Sequence, residues 1–156
     1  MPGFFCYLCL SKKITMYNIL LQAHKGFAYL ELLLVALFII SLLVAMFGYS
    51  GKVSKLLKKS TLFTMIFFHI QLLLGLVMLG TNFGGGLDMG SVMKNADLRF
   101  TYVEHPFSML IAAILMTLIN KRVKSSETIN FKIIIMGVLA VALFVFAFPF
   151  AKVFGA

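Results

Sequence analysis

The sequence predicts an all-α integral membrane protein whose four helices form a bundle. Of its 156 residues, 62% are hydrophobic and only 12% are charged, whereas soluble domains are roughly half apolar and about a quarter charged. Four apolar runs each approach or exceed the roughly 20 residues that a helix needs to cross a bilayer core of about 30 Å. Short polar connections separate these runs, so the length suits a single domain.

The predicted membrane domain covers residues 18–156, and its helices span about 18–47, 60–80, 103–120 and 130–151. The first helix is longer than a crossing requires, so we expect it to tilt or to protrude. Residues 1–17 form an apolar tail that we expect to be disordered or untranslated, because Met16 offers an alternative start. Within it, Cys6 and Cys9 form a C-x-x-C pair with no second pair to complete a zinc site, so no metal role is assigned.

The distribution of Lys and Arg predicts the orientation of the chain. The first and third connections, with the start of the fourth helix, carry Lys52, Lys55, Lys58, Lys59, Lys121, Arg122, Lys124 and Lys132. The opposite side carries Lys12, Lys13, Lys25, Lys94, Arg99 and Lys152. We therefore place the first and third connections in the cytoplasm, with both termini and the long connection at 82–102 outside. Topology and anionic lipid head groups account for the net charge of +9, so no nucleic acid partner is expected.

Candidate functional residues are the few polar side chains within the apolar helices, because such side chains are costly in hydrocarbon and tend to mark function. They are His24, Glu31, His69, Gln71, Glu104 and His105. Imidazole is a common axial ligand of haem iron. His24 and His105 lie early in two helices that run in the same direction, so both are expected near the outer face. Straight helices would leave them about 12 Å apart in depth, and tilt of the first helix reduces that gap.

Other polar residues and glycines of these helices have weaker assignments. His69 lies nearer the middle of the second helix and is the alternative iron ligand. Glu31 follows His24 by seven residues on the same helical face, where it either relays protons or packs as a hydrogen-bonded carboxyl. Gly75 and Gly80 permit close approach of either a neighbouring helix or a flat cofactor.

Pro106 sets the expected start of the third helix. Its ring disfavours helix immediately before it, so Glu104 and His105 are expected at or beside the helix start, with Glu104 at the membrane interface. Methionine is common in apolar helices, so no ligand role is assigned to those within the predicted spans. These are Met65, Met78, Met109 and Met116.

Three stretches of the chain resemble the haem A synthase-like membrane proteins, in which a histidine opens an apolar helix. They are HKGFAYLELLLVALFIISLLVAMF at 24–47, HIQLLLGLVMLG at 69–80 and VEHPFSMLIAAILMTLINKR at 103–122. The chain is also similar to small four-helix bacterial membrane proteins of the cytochrome b type. The resemblance, over roughly two-thirds of the chain, implies one haem b near the outer leaflet of a bacterial inner membrane. His24 and His105 would be its axial pair, with Gln71 and Gly75 beside it.

The chain also departs from that family. The synthases contain two four-helix halves, whereas this chain has the length of one, and Leu20 stands where they carry a glutamate. Hydroxylating chemistry is therefore not expected, and electron transfer with quinone or a membrane partner is the favoured function. A subunit or assembly factor without haem is the alternative. A small transporter using Glu31 and His69 is a third, which would require an oligomer to form a pathway.

Overall fold

A computed structural model of the chain describes residues 3–48, 51–83, 86 and 88–150, with side chains from residue 14 onwards except that of Phe83. The elements in this part are helices α1 (Gly3–Phe47), α2 (Lys55–Phe83), α3 (Met89–Lys94) and α4 (Ala96–Arg99), a π-helical turn (Phe100–Glu104), and helices α5 (His105–Ser125) and α6 (Phe131–Ala147). The described ranges contain no strand, which confirms the all-α class.

Three segments are long and apolar enough to cross a membrane. They are Ile14–Phe47, Lys55–Asn82 and Ala96–Ser125. Large apolar side chains such as Leu33, Leu73 and Ile114 are exposed on them, as expected for surfaces that face lipid. The fourth apolar helix, α6, has 17 residues and a length of about 25 Å, somewhat less than the roughly 30 Å of a bilayer core.

The helix bounds differ from the predicted ones in both directions. α1 ends at Phe47, as predicted, but begins at Gly3, so that helix also runs through the predicted tail. The side chains of Cys6 and Cys9 lie outside the described residues. α2 begins before and ends after the predicted range 60–80. α5 continues past the predicted end at 120 to Ser125, whereas α6 ends at Ala147, short of the predicted end at 151.

The long connection before α5 contains short helices rather than only loop. Asp88 caps α3, because its carboxylate accepts hydrogen bonds from the backbone N–H groups of Gly90 and Ser91, at 3.1 and 3.0 Å. The Ser91 hydroxyl donates a further bond of 2.6 Å, and these bonds lower the pKa of Asp88. Asn95 caps α4 in the same way.

Pro106 does not interrupt the helix before it, contrary to the sequence-based expectation. The backbone N–H of His105 bonds to the carbonyl of Phe100, five residues earlier, in the π-helical turn. A π turn is wider than an α turn, which relieves the crowding that a proline ring imposes on the preceding carbonyls. The chain is consequently helical from Ala96 to Ser125. Glu104 is half-buried in this turn and its Oε1 lies 2.7 Å from the Nε of Arg99.

The long helices pack side by side in chain order. α1 packs on α2, α2 on α5 and α5 on α6, while α6 makes fewer contacts with α1. The largest fully buried side chains are Phe38, Phe68, Phe144, Leu57, Met116, Ile119 and Ile133. Hydrogen bonds also join α1 to α2, among them one between the hydroxyls of Ser41 and Ser60 at 2.8 Å and one from Thr64 to the carbonyl of Leu34 at 3.2 Å.

The connections that follow α1 and α5 are joined to each other at one end of the helices. Val53 donates its backbone N–H to the carbonyl of Glu127 at 2.8 Å, and Ile129 donates to Gly51 at 2.9 Å. Gly51 has a φ of 56°, a left-handed conformation that glycine adopts without steric cost. These backbone bonds hold the α1–α2 connection against the α5–α6 connection.

Gly137 of α6 provides a test of the α1–α6 packing. A Cβ atom at this position would lie 3.0 Å from Leu42 and 3.4 Å from Phe38, both on α1. We expect Gly137→Val to force these helices apart and to lower the free energy of unfolding by about 1–3 kcal/mol, the usual cost of overpacking. Thermal unfolding of purified protein in mild detergent measures the change.

Gly26→Val is the matched control, because a Cβ atom at Gly26 has no neighbour within 4 Å. It should change the unfolding midpoint much less than Gly137→Val. Equal midpoints for the two variants would contradict close packing of α6 on α1.

Candidate cofactor site

A cavity of about 280 Å³ lies between α1, α2, α5 and the end of α6. Its lining is mostly apolar and includes Leu21, Ala28, Leu72, Leu76, Leu79, Met78, Met109, Phe144 and Phe148. Four of the six polar residues singled out in the sequence also line it, namely His24, Glu31, Gln71 and His105. An apolar cavity with a few convergent polar groups is the usual form of a cofactor or ligand site.

His24 and His105 face each other across this cavity. His24 belongs to α1 and His105 is the first residue of α5, yet their ring centroids are 6.2 Å apart, with 80° between the ring planes. The offset of about 12 Å expected for straight helices therefore does not keep the two side chains apart. Two histidines separated by 80 positions in the chain are brought into one site.

The hydrogen bond of His105 fixes its tautomer. Its Nδ1 lies 2.7 Å from the backbone carbonyl of Ala147, at the end of α6. A carbonyl only accepts hydrogen bonds, so Nδ1 carries the proton and the neutral ring has its lone pair on Nε2. A backbone carbonyl that accepts from one ring nitrogen is also the usual partner of a metal-binding histidine.

His24 is positioned through its backbone and by a neighbouring glycine. Gln71 of α2 donates a hydrogen bond of 3.0 Å to the His24 carbonyl. Gly75, one turn further along α2, faces the ring, since a Cβ atom there would lie 3.7 Å from His24 Cε1. Among the described residues, the buried Nδ1 of His24 has no hydrogen-bond partner. A buried polar atom without a partner is uncommon, so this nitrogen is a candidate to contact a bound group.

Glu31 and Gln71 form the second polar group of the cavity. Glu31 is 1% exposed and Gln71 is 3% exposed, and the two side chains interact with each other. Each nevertheless has one buried oxygen without a partner, Glu31 Oε1 and Gln71 Oε1. The predicted hydrogen-bonding position of Glu31 inside the helices is thus observed, whereas its role as a proton relay stays a prediction.

The donor set fits an iron porphyrin better than a metal ion held by protein ligands alone. Among the described side chains, no group of three or more His, Cys, Asp or Glu residues is placed to hold a metal. A haem iron needs only two axial ligands from the protein. With metal–nitrogen bonds of about 2 Å, and a ring centre roughly 1 Å beyond each nitrogen, two axial imidazoles have centroids about 6 Å apart. The observed separation of 6.2 Å is compatible with that value, as it is with an ordinary edge contact between two rings.

The volume and the opening of the cavity also bear on whether an iron porphyrin would fit into it. A volume of about 280 Å³ is slightly below the usual range of ligand sites, which runs from about 300 to 1,000 Å³. The cavity is not fully enclosed, and Leu76, which lines it, is 47% exposed.

His69 lies away from the cavity. It is exposed on α2, its Nδ1 is 2.7 Å from the carbonyl of Met65, and its Nε2 is 3.4 Å from the Thr117 hydroxyl of α5. Gly80 has open space around it rather than a helix neighbour. Met78 and Met109 line the cavity, whereas Met116 is buried in the core. Of the three histidines, only two share one site.

The sequence did not indicate the contribution of α6 and of the π turn. α6 carries no polar side chain towards the cavity, but its Ala147 carbonyl orients His105, and Phe144 and Phe148 form part of the lining. The π turn adds Phe100, whose ring centroid is 6.2 Å from that of His105. A backbone acceptor has no signature in a sequence. The local sign in the sequence that α6 ends at this point is Pro149, which disfavours helical conformation at the preceding Phe148.

No family model, curated protein or solved structure matches this chain. The function is therefore argued from the chain's own residues.

Gly75 offers a test of the cavity as a ligand site. We expect Gly75→Leu to fill the space beside His24 and to reduce haem content at least tenfold, because a leucine side chain would occupy the site of the cofactor. Protein expressed with added haem precursor and purified in mild detergent would be assayed by its haem-to-protein absorbance ratio.

Gly80→Leu is the matched control on the same helix, since nothing lies within 4 Å of a Cβ atom there. Its haem content should equal that of the wild type. A Gly75→Leu protein that retains full haem content while folded would place any cofactor elsewhere.

Proposed function

We propose that this protein is a membrane b-type cytochrome that holds one haem between α1 and α5, with His24 and His105 as axial ligands. The observation that carries the proposal is the 6.2 Å separation of the two imidazole rings inside an apolar cavity. The proposal includes the likeness of this chain to the haem A synthase-like proteins and to small four-helix cytochromes. It also includes a four-helix membrane bundle in which α6 crosses the membrane together with the three longer segments.

Electron transfer is the chemistry that this ligand set favours. His24 and His105 would together hold a haem, which would supply one-electron transfer. Leu20, which stands where the synthases carry a glutamate, argues against their hydroxylating chemistry. The apolar lining and the hydrogen bonds at Ala147 and Gln71 would tune the potential.

The chain's own residues have separate tasks in this proposal. Ala147 holds the tautomer of His105, and Gln71 holds the backbone at His24. Gly75 leaves space beside the His24 ring. Glu31 supplies a buried carboxyl deeper in the cavity, where it would accept or release a proton when the charge nearby changes.

The partner and location belong to the proposal as well. An electron carrier within a membrane exchanges electrons with quinone or with another membrane protein, and the cavity opening at Leu76 faces the side from which a lipid-soluble partner would approach. We place the protein in a bacterial inner membrane with both termini outside, by the excess of basic residues at the other end.

A second candidate function is that of a subunit or assembly factor in a larger membrane complex. His69 and Thr117 favour it, because both are exposed on the outer surface of α2 and α5 within segments apolar enough to span a membrane. Polar side chains of such segments usually face protein rather than lipid. A partner helix over this seam would cover them, whether from another protein or from a second copy.

Histidine substitution separates these functions. We expect purified wild-type protein to show reducible Soret and α-band absorbance. His24→Ala and His105→Ala should each lose more than nine-tenths of it, because one axial ligand cannot retain the haem against detergent. His69→Ala should retain it, since His69 lies outside the cavity.

The folding of each variant is checked by its helical circular dichroism. Absence of a chromophore in folded wild-type protein supplied with stoichiometric haem would leave the accessory subunit as the remaining candidate. Loss of colour in His69→Ala alone would exclude the proposed ligand pair.

A further inference from the structure

The two ends of the helices differ in charge. The end that carries the α1–α2 and α5–α6 connections has eight basic residues, Lys52, Lys55, Lys58, Lys59, Lys121, Arg122, Lys124 and Lys132, and one acidic residue, Glu127. The opposite end has six basic residues in the sequence, Lys12, Lys13, Lys25, Lys94, Arg99 and Lys152, and three acidic residues, Asp88, Asp97 and Glu104. We call the first of these groups the basic platform.

The basic platform is a fixed surface rather than two separate loops. The backbone bonds from Val53 to Glu127 and from Ile129 to Gly51 join its two halves. Val53 and Ile129 also pack against the hydrophobic core, and Leu57, between Lys55 and Lys58, is fully buried. The charges of both helical hairpins are therefore held on one surface.

Within the described part of the chain, Glu127 is the one carboxylate on this surface, and no ion pair of the platform lysines and arginine is observed. The Arg99–Glu104 ion pair lies at the opposite end. α2 and α6 begin at the platform, and neither has an acidic residue in its first turn. Lys55, Lys58 and Lys132 instead stand near the positive ends of these helix dipoles, where cations are disfavoured. The isolated protein therefore carries a concentrated positive charge that an external anion would stabilise.

Apolar side chains beside the charges identify the class of anion. Phe47 is 79% exposed, Phe131 is 71% exposed and Leu56 is 55% exposed. Leu56 and Phe131 directly adjoin Lys55 and Lys132 in the chain. A free phosphate would use the cations alone, whereas a nucleic acid could also stack its bases on exposed aromatic rings. Phe47 and Leu56 lie at the ends of segments that are apolar enough to cross a membrane, which favours lipid over nucleic acid. A phospholipid uses both the cations and the apolar side chains, because its head group meets cations and its acyl chains meet adjoining apolar side chains.

We propose that the basic platform binds anionic phospholipid, with head-group phosphates bridging the α1–α2 connection and the α5–α6 connection. Bound lipid joins the two hairpins at the end remote from the cavity and thereby stabilises the packing of all the long helices. This interaction is independent of haem.

The experiment compares lipids added to the purified, full-length protein in mild detergent. Phosphatidylglycerol should raise the thermal unfolding midpoint and remain bound in native mass spectra, whereas phosphatidylcholine should do neither. Inorganic phosphate at the same phosphorus concentration should not substitute for the lipid, because it lacks acyl chains. Stabilisation by phosphate or by a single-stranded oligonucleotide equal to that by phosphatidylglycerol would overturn the lipid assignment.

A charge-neutralised variant tests the residues. Each basic residue near an anionic lipid surface is worth about a fivefold change in affinity. The triple variant Lys55→Gln, Lys59→Gln, Lys124→Gln should thus bind phosphatidylglycerol on the order of 100-fold more weakly. Lys94→Gln, at the opposite end, is the control and should bind as the wild type does.

A second triple variant, with arginine at the same three positions, keeps the charge and should retain binding. If the glutamine variant fails to fold, as judged by circular dichroism, the arginine variant and the lipid comparison on wild-type protein still test whether the basic platform binds anionic phospholipid. Equal affinity for phosphatidylglycerol and phosphatidylcholine, or wild-type affinity in a folded glutamine variant, would overturn the proposal.

Discussion

The arrangement of the site depends on a row of hydrogen bonds between α1 and α2. Ser41 meets Ser60, Thr64 meets the Leu34 carbonyl and Gln71 meets the His24 carbonyl, so the row runs from the platform end to the cavity along two antiparallel helices. In apolar surroundings such bonds are individually modest, at about 0.6 kcal/mol, but they are directional. Together they set the rotation of α2 about its own axis, which turns Gly75 and Gln71 towards His24 and leaves His69 on the outer surface.

The rotation of α2 about its axis is the feature of the site that the pattern of polar residues, as it was used, did not predict. The rarity of histidine in apolar helices singled out His24 and His105, and the structure brings their rings to a centroid distance of 6.2 Å, while their role as ligands stays a prediction. Rarity also kept His69 as the alternative ligand, because a count of polar residues contains no information on helical phase. The phase is carried by Ser60, Thr64 and Gln71, at spacings of four and seven, which place them on one face of α2. Those spacings were present in the sequence and would have pointed His69 elsewhere.

Other features of the site were beyond prediction from residue type. Ala147 acts through its carbonyl, which every residue has, so only the three-dimensional packing of α6 against α5 selects it. The π turn before His105 is a compromise between Pro106, which crowds the carbonyls before it, and an otherwise favourable helix that Asn95 caps. An assignment from the sequence pattern treats the proline as a helix break, because the pattern does not show that one turn can widen into a π turn. The same turn brings Phe100 beside His105, so a local backbone adjustment also builds part of the cavity wall.

The cavity and the basic platform lie at opposite ends of the same helices, and this separation has a physical basis. A ligand site near one face requires unsatisfied polar atoms, such as His24 Nδ1 and Glu31 Oε1, and these weaken the packing there. The backbone bridge at the other end, with Leu57 fully buried beneath it, holds the two helical hairpins together away from the cavity. The cavity end can therefore admit a cofactor without loss of the overall arrangement, because the constraints that hold the two hairpins together act elsewhere. An anionic lipid at the platform would add to those constraints without touching the site.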